Sequence, residues 1–292
     1  MSKKLDSLFK KSHRIKIDDN TKLVIMSDCH RGEGKDSDNF LKNKNLFQVA
    51  LCYYYDKDFT YVELGDGDDM WEVKDYKNIV ERYLDIFQLL KKFNDSNRLI
   101  MIYGNHDICK KNDQILRNNF YKYYNKITEQ EEKLLDHLKV YESLVLSYKE
   151  HEIFMIHGHQ VDFLNSTFWR LSRFLVRYIW KNLEYMGVKD STSAAKNYNV
   201  TKKIEKKLRC WSIKNNKLVI AGHTHRPIFP KAGKSLYFND GSCIHPNGIT
   251  CLEIENGNIT LVRWGFQLTN HNLLSIGREV FEKKESIIQF FK

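Results

Sequence analysis

The chain has 292 residues, 42% of them hydrophobic and only three of them Pro, which fits a folded globular protein and argues against disorder. No window approaches roughly eighteen uninterrupted apolar residues, and the basic N-terminus "MSKKLDSLFKKSHRIK" lacks the apolar core and cleavage site of a secretory signal, so neither a transmembrane helix nor secretion is expected. Six scattered Cys without a CxxC pair argue against a disulfide framework or a thiolate zinc site and fit a cytoplasmic protein, while the formal charge of +10 predicts anionic partners: phosphates, nucleic acid or an anionic membrane surface.

In chain order, "KLVIMSD" (22–28), "FTYVELGD" (59–66) and "RLIMIYGN" (98–105) read as buried strands. Between them, "NFLKNKNLFQVALCYYY" and "IVERYLDIFQLLKKF" repeat apolar residues at three and four, as helices do. This β-α-β-α-β order predicts parallel strands covered by helices. The polar stretch 112–138 reads as helical, and "YESLVLSY" and "EIFMIHG" as strands. Residues 163–213 read as helical throughout; "KLVIAGH", "SLYFND", "GITCLEIEN" and "NITLVRW" follow as strands, and "REVFEKKESIIQFF" as a final helix. No repeat or Gly/Ser/Pro linker divides the chain, so one domain over 1–292 is expected, with a helical insertion at about 163–215.

Within the insertion, Leu164, Phe168, Leu171, Leu175, Tyr178 and Ile179 share one helical face. Arg170, Arg173, Arg177 and Lys181 form a narrow stripe, and Trp169, Val176 and Trp180 extend the apolar surface along another flank. A helix apolar over most of its circumference packs into the core. The alternative is a cap that meets an acyl chain with its aromatics and a phosphate or anionic membrane with its arginines. "VTKKIEKKLRCW" (200–211), with Ile204, Leu208 and Trp211 on one side, reads as a second arm with a basic outer face.

Polar clusters end the apolar runs. "SDCH" brings Asp28 and His30, which strand alternation would send to one side. "LGDGDDMWE" brings Asp66 and Asp69, "YGNHD" Asn105 and His106, "MIHGHQVD" His157 and His159, and "AGHTHRP" His223 and His225. The carboxyl edge of a parallel sheet is where ligands collect, and six of the eleven His fall in these clusters. Oxygen and imidazole donors without thiolate suit two divalent ions, Mn foremost, with Fe, Zn or Co as alternatives. A closely spaced pair needs a shared ligand, and Asp66 is the natural bridge. Gly65, Gly104, Gly158 and Gly222 let the backbone pack closely there.

The series D-x-H, G-D-x-x-D, G-N-H-D, H-G-H and G-H-x-H resembles the calcineurin-like metallophosphoesterase superfamily over about residues 22–265, and "FNDGSC" (238–243) is similar to the Asn-x-Gly-Ser turn of that family. The resemblance implies a four-layer α-β-β-α sandwich. It implies one metal held by Asp28, His30, Asp66 and His225, and another held by Asp66, Asn105, His157 and His223. His106, oriented by Asp69, would face the phosphate. Water activated between the ions would attack phosphorus, and His106 would protonate the leaving oxygen or stabilise its charge.

His159 reads as a residue supporting a metal ligand or facing substrate, or else as a surface histidine. Arg31 and Arg226 adjoin ligand histidines, where a guanidinium either grips phosphate or forms a structural ion pair. The protein Ser/Thr phosphatase branch is disfavoured, because "GDGDDMWE" and "GNHD" stand where that branch has V-D-R-G and G-N-H-E. The layout is similar to the UDP-2,3-diacylglucosamine pyrophosphatase-like branch, except that His106 stands where that branch commonly has Arg. Expected substrates are therefore small-molecule or lipid-linked phosphomonoesters, phosphodiesters or pyrophosphates. A nuclease, or a non-enzymatic nucleic-acid-binding protein at the surface of which the basic helices bind, is the competing reading.

Overall fold

A computed structural model describes residues 2–35, 37–162, 169–176, 178, 197–269 and 272–291. Its centre is two face-to-face β-sheets. One has five strands in the order β1 (His13–Ile17), β8 (Ser143–Tyr148), β9 (His151–Ile156), β10 (Leu218–Ala221) and β11 (Tyr237–Asn239). The other has seven, in the order β14 (Leu274–Ser286), β13 (Asn258–Leu268), β12 (Ile249–Glu255), β2 (Leu23–Met26), β3 (Thr60–Leu64), β4 (Leu99–Ile102) and β7 (Val140–Tyr141). As expected from the β-α-β order, β2, β3 and β4 are parallel neighbours.

Period-two alternation builds the layers. Leu23 and Ile25 of β2 face the other sheet, where they meet Leu144, Ile153 and Ile220 in a shared apolar layer. Val24 and Met26 face outward onto helices Lys44–Asp56 and Leu84–Asp95, through Phe47, Leu51, Phe87 and Leu90. On the far side, Val145, Phe154 and Val219 pack against Leu5 of helix Ser2–Lys11 and against Ile204, Leu208 and Trp211 of helix Tyr198–Asn215. The result is the expected α-β-β-α sandwich.

Two segments differ from the sequence reading. The stretch 112–138 holds only one short helix, Asp113–Asn119, followed by a hairpin of β5 (Lys122–Asn125) and β6 (Gln130–Lys133). The Asn125 carboxamide accepts hydrogen bonds from the amides of Ile127 and Thr128, an Asx turn that competes with helix continuation. The expected C-terminal helix is instead β14, paired with β13 from Asn258–Ser286 to Leu268–Leu274 and closed by a 3-10 turn at Ile287–Phe291. Its Glu and Lys favour helix in isolation, but the ladder and cross-strand pairs such as Arg263–Glu279 override that preference.

Of the insertion, helix Trp169–Leu175 and helix Tyr198–Asn215 are described; Leu164, Phe168, Arg177, Ile179, Trp180 and Lys181 lie outside the described residues. Tyr178, expected on the buried face, is 49% exposed. The second arm does bury Ile204, Leu208 and Trp211 while exposing Lys202, Lys203 and Lys206.

Helix Lys44–Asp56 is tied to the antiparallel edge through one hydroxyl. Buried Tyr54 donates to Glu253 Oε1 (2.6 Å) and accepts from Trp264 Nε1 (3.0 Å), and Glu253 also accepts from Arg278. Tyr54→Phe strands the Trp264 N–H and removes a donor from Glu253, so denaturant titration should show a loss of about 1–3 kcal/mol with the fold retained.

Candidate metal centre

The strands β2, β3 and β4 of one sheet, and β9 and β10 of the other, end one to five residues before the Asp, Asn and His residues singled out in the sequence. The loops that follow are stitched together. Asp28 N–H donates to Gly65 O (3.0 Å), His30 N–H to Asp66 O (2.9 Å) and Gly222 N–H to His157 O (2.9 Å). The two sheets are joined where His223 N–H donates to Asp28 Oδ2 (2.8 Å) and His157 Nδ1 meets Leu64 O (2.9 Å).

Strand alternation does not place Asp28 and His30, because β2 stops at Met26. Both residues sit instead in the left-handed region, with φ of 53° and 49°. Asp66, His223 and His225 do the same, at 51°, 67° and 54°. Non-glycine residues take this conformation at a cost of order 1–3 kcal/mol each, and its clustering marks a functional site. Gly65, at φ 96°, goes further: a Cβ there would meet His157 Nδ1 at 2.5 Å.

Asp28 and Asp66 divide their oxygens in the same way. Asp28 Oδ2 accepts from His223 N–H and from Ser27 Oγ (2.6 Å), while Oδ1 lies 2.9 Å from His225 Nε2 and 3.6 Å from His30 Nε2. Asp66 Oδ1 accepts from His106 N–H (2.7 Å), while Oδ2 lies 3.1 Å from His157 Nε2 and 3.9 Å from His30 Nε2. Two groups of ligand-type atoms result: Asp28, His30 and His225, and Asp66, His157 and His223. Asp66 Oδ2 reaches toward both.

The donor set fits a cation. Asp28 Oδ1, Asn105 Oδ1 and His157 Nε2 are buried without a hydrogen-bond partner. The His157 Nδ1 contact with a carbonyl oxygen makes that nitrogen a donor, which leaves Nε2, facing the Asp66 carboxylate, as the nitrogen that would bind a cation on giving up its proton. Burial opposes charge on Asp28 and Asp66, yet neighbouring imidazoles hold both carboxyls well below the usual range. Burial likewise opposes protonation of His157, but Asp66 and Asp28 push it up to about 10. A divalent cation among these atoms answers the same concentration of negative charge.

Beside them, His106 Nδ1 contacts Asp69 Oδ1 (3.0 Å), and its ring stacks on Trp71 at 4.3 Å. Asp69 is itself fixed by the amides of Trp71 and Glu72. Burial lowers the affinity of His106 for a proton, but Asp69 and Asp66 raise its pKa to about 9.

The lesser candidates separate. His159 is not a surface residue: it is 3% exposed, packed between Tyr103 and His157, with Nδ1 unpartnered. Arg226 is exposed, its guanidinium 5.6 Å from the Tyr198 ring. Arg31 does not grip phosphate. It is fully buried beneath the loops, bonded to Asp68 (2.7 Å) and Glu63 (2.8 Å).

Sequence reasoning missed the network to which Arg31 belongs. Lys110, also buried, contacts Asp68 (2.7 Å), Asp107 (2.7 Å) and Glu63 (3.4 Å). Asp107 in turn accepts from Gly104 N–H (2.7 Å) and Gly67 N–H (3.1 Å), which pins the loops carrying Asn105 and Asp66. The available signal was Glu63 inside an apolar strand and Lys110 three residues after Asp107. Asp162 was also missed; its Oδ2 lies 3.2 Å from His223 Nε2.

A family model described as calcineurin-like phosphoesterase matches residues 21–227. No curated protein matches the chain. Among solved structures, the chain is similar to a predicted phosphoesterase from Streptococcus pneumoniae, at 15% identity over 89% of this chain and 98% of that one, with a TM-score of 0.35. It is also similar to Vacuolar Protein Sorting 29 from Cryptosporidium parvum (14% identity, 90% and 98% covered, TM-score 0.40). A third is a cold-active protein-tyrosine phosphatase of a psychrophilic Shewanella species (12% identity, 89% and 81% covered, TM-score 0.40).

Two substitutions probe the scaffold. Lys110→Met leaves three carboxylates buried around one guanidinium and should cost about 3–5 kcal/mol in denaturant unfolding. Gly104→Ala would put a Cβ 2.0 Å from Asp66 Oδ1, so calorimetric titration with Mn should show weakened binding while circular dichroism still reports a folded chain.

Proposed function

The chain belongs to the calcineurin-like phosphoesterase family, and from that premise we propose that it is a dinuclear-metal-dependent hydrolase of phosphomonoesters, phosphodiesters or pyrophosphates. In this reading Asp28, His30, Asp66 and His225 hold one divalent cation, and Asp66, Asn105, His157 and His223 hold the other. The observation that carries it is the pair of ligand groups that meet at Asp66 Oδ2, with Asp28 Oδ1 and His157 Nε2 buried against other ligand-type atoms and Asn105 Oδ1 buried without a hydrogen bond. Carboxylate, amide and imidazole donors suit Mn, with Fe, Zn and Co as alternatives.

The chemistry that a bound cation pair supplies is activation of water and neutralisation of the phosphoryl oxygens. The chain's own residues do the rest. Asp69 and Trp71 fix the His106 ring, and with Nδ1 engaged by Asp69, Nε2 is the nitrogen left to serve the substrate. As the bond from phosphorus to the leaving oxygen breaks, the His106 proton passes to that oxygen; the attacking water gives its proton to solvent, from which His106 is reprotonated. The buried Arg31–Lys110 network holds the Asp66 and Asn105 loops in register, so that donors meet the transition state without rearrangement.

Purified protein loaded with Mn should contain two ions per chain by plasma mass spectrometry and cleave a chromogenic phosphodiester. Chelation should abolish cleavage, and added Mn should restore it. Asp66→Ala should lose metal and activity together. His106→Ala should keep both ions while kcat falls about 10²–10⁴-fold. Equal metal loss in the two variants would overturn this division of roles. A panel of monoesters, diesters, a lipid-linked nucleotide pyrophosphate and single-stranded DNA then identifies the substrate class.

A further inference from the structure

The positive charge of this chain is segregated. Residues 2–11 and 198–217 carry eleven Lys and Arg against two acids, nine of the ten net charges of the whole sequence. Both acids are engaged at the packed side of these helices: Asp6 accepts from Trp211 Nε1 (2.7 Å), and Glu205 is buried. The two helices are clasped by that bond and by Phe9, whose ring lies 5.6 Å from Trp211. Their exposed faces hold Lys3, Lys4, Lys10 and Lys11 on one helix and Lys202, Lys203, Lys206, Arg209 and Lys214 on the other, with no exposed acid on either. A merely solvated helix commonly intersperses Glu with Lys at i,i+4, which this surface does not do.

Between the helices runs an open groove of about 370 Å³. Leu5, Cys210 and Trp211 form its floor, and Lys203, Lys206 and Lys214 its rim. A further lining residue, Lys207, is turned to the carbonyl oxygen of Val161 (3.0 Å) and takes no part in the rim. On the same helix Ile213 is 55% exposed.

We propose that this basic, apolar-floored face docks on a bilayer of anionic phospholipids. The lysine ammoniums would lie at the headgroup phosphates, their aliphatic stems against the groove and the interface. A nucleic acid fits the charge but not the floor, which offers carbon and sulfur where a polynucleotide backbone needs hydrogen-bond donors. The face is built from helices outside the metal centre, so the inference stands apart from the hydrolase reading.

The test is co-sedimentation of the full chain with vesicles of phosphatidylcholine containing phosphatidylglycerol at about one part in three. Binding is expected to these vesicles, to fall steeply as salt is raised, and to be negligible to phosphatidylcholine alone. The triple variant Lys203→Glu, Lys206→Glu, Lys214→Glu should reduce partitioning on the order of 100-fold or more. Its melting temperature and its hydrolysis of a soluble chromogenic diester should be unchanged. Equal partitioning of variant and parent, equal binding to neutral vesicles, or tighter binding to a single-stranded oligonucleotide than to anionic vesicles would each overturn the proposal.

Discussion

The geometry of this protein depends on how two aspartates share out their oxygens. Asp28 and Asp66 each give one oxygen to a backbone amide and turn the other into a cluster of imidazoles. The amide that Asp28 binds belongs to His223, on the other sheet. The carboxylate is therefore both a strut between the sheets and a donor to the centre. Neither role survives alone: without the strut the free oxygen loses its aim, and without a positive partner the buried charge has no compensation.

Such an arrangement has a cost in the backbone. Five non-glycine residues of the site sit at positive φ, an amount of strain that the surrounding structure must over-determine. Two devices do so. Hydrogen bonds between successive loops carry the strand ladders past their ends, from Asp28 to Gly65, His30 to Asp66 and Arg31 to Gly67. Beneath them, Arg31 and Lys110 bind Glu63, Asp68 and Asp107 in a fully buried network that reaches the Gly104 and Gly67 amides. Replacing such a network with apolar groups can be neutral for stability. What apolar groups could not do is hold two polar loops at fixed separation.

The sequence made the ligand-type residues legible because each follows an apolar run that could only be a buried strand, and because polar residues at five such ends need a common explanation. It did not reveal their conformation: "SDCH" looks like the continuation of a strand, and only the meeting of the two sheets forces Asp28 and His30 into the left-handed region. Arg31 was open to two readings for the same reason, since burial is a property of the loops stacked above it. The C-terminal segment was misread because its Glu- and Lys-rich text satisfies helix propensity, whereas its strand state is dictated by β13, its partner in the ladder. The hairpin after Asn119 turns on one Asx turn at Asn125, too local a signal to outweigh a long polar stretch.

The net charge carries a related lesson about location. Read from composition, +10 predicts anionic partners, whether phosphates, nucleic acid or a membrane surface, without saying where on the chain they bind. In the fold, nearly all of that excess lies on the helices Ser2–Lys11 and Tyr198–Asn215 and the turn after them, and the remainder of the chain is close to neutral. The centre itself is rich in carboxylates, with Asp28, Asp66 and Asp69 converging there. Of these acids, Asp28 and Asp66 lie beneath the more exposed rings of His30, His106 and His225. In the proposed function, anion affinity at that place comes from cations held by Asp28 and Asp66 and from protonated His106, while the proposed membrane face lies apart, on the two helices. Charge that composition treats as one number is, in three dimensions, two opposed fields with different tasks.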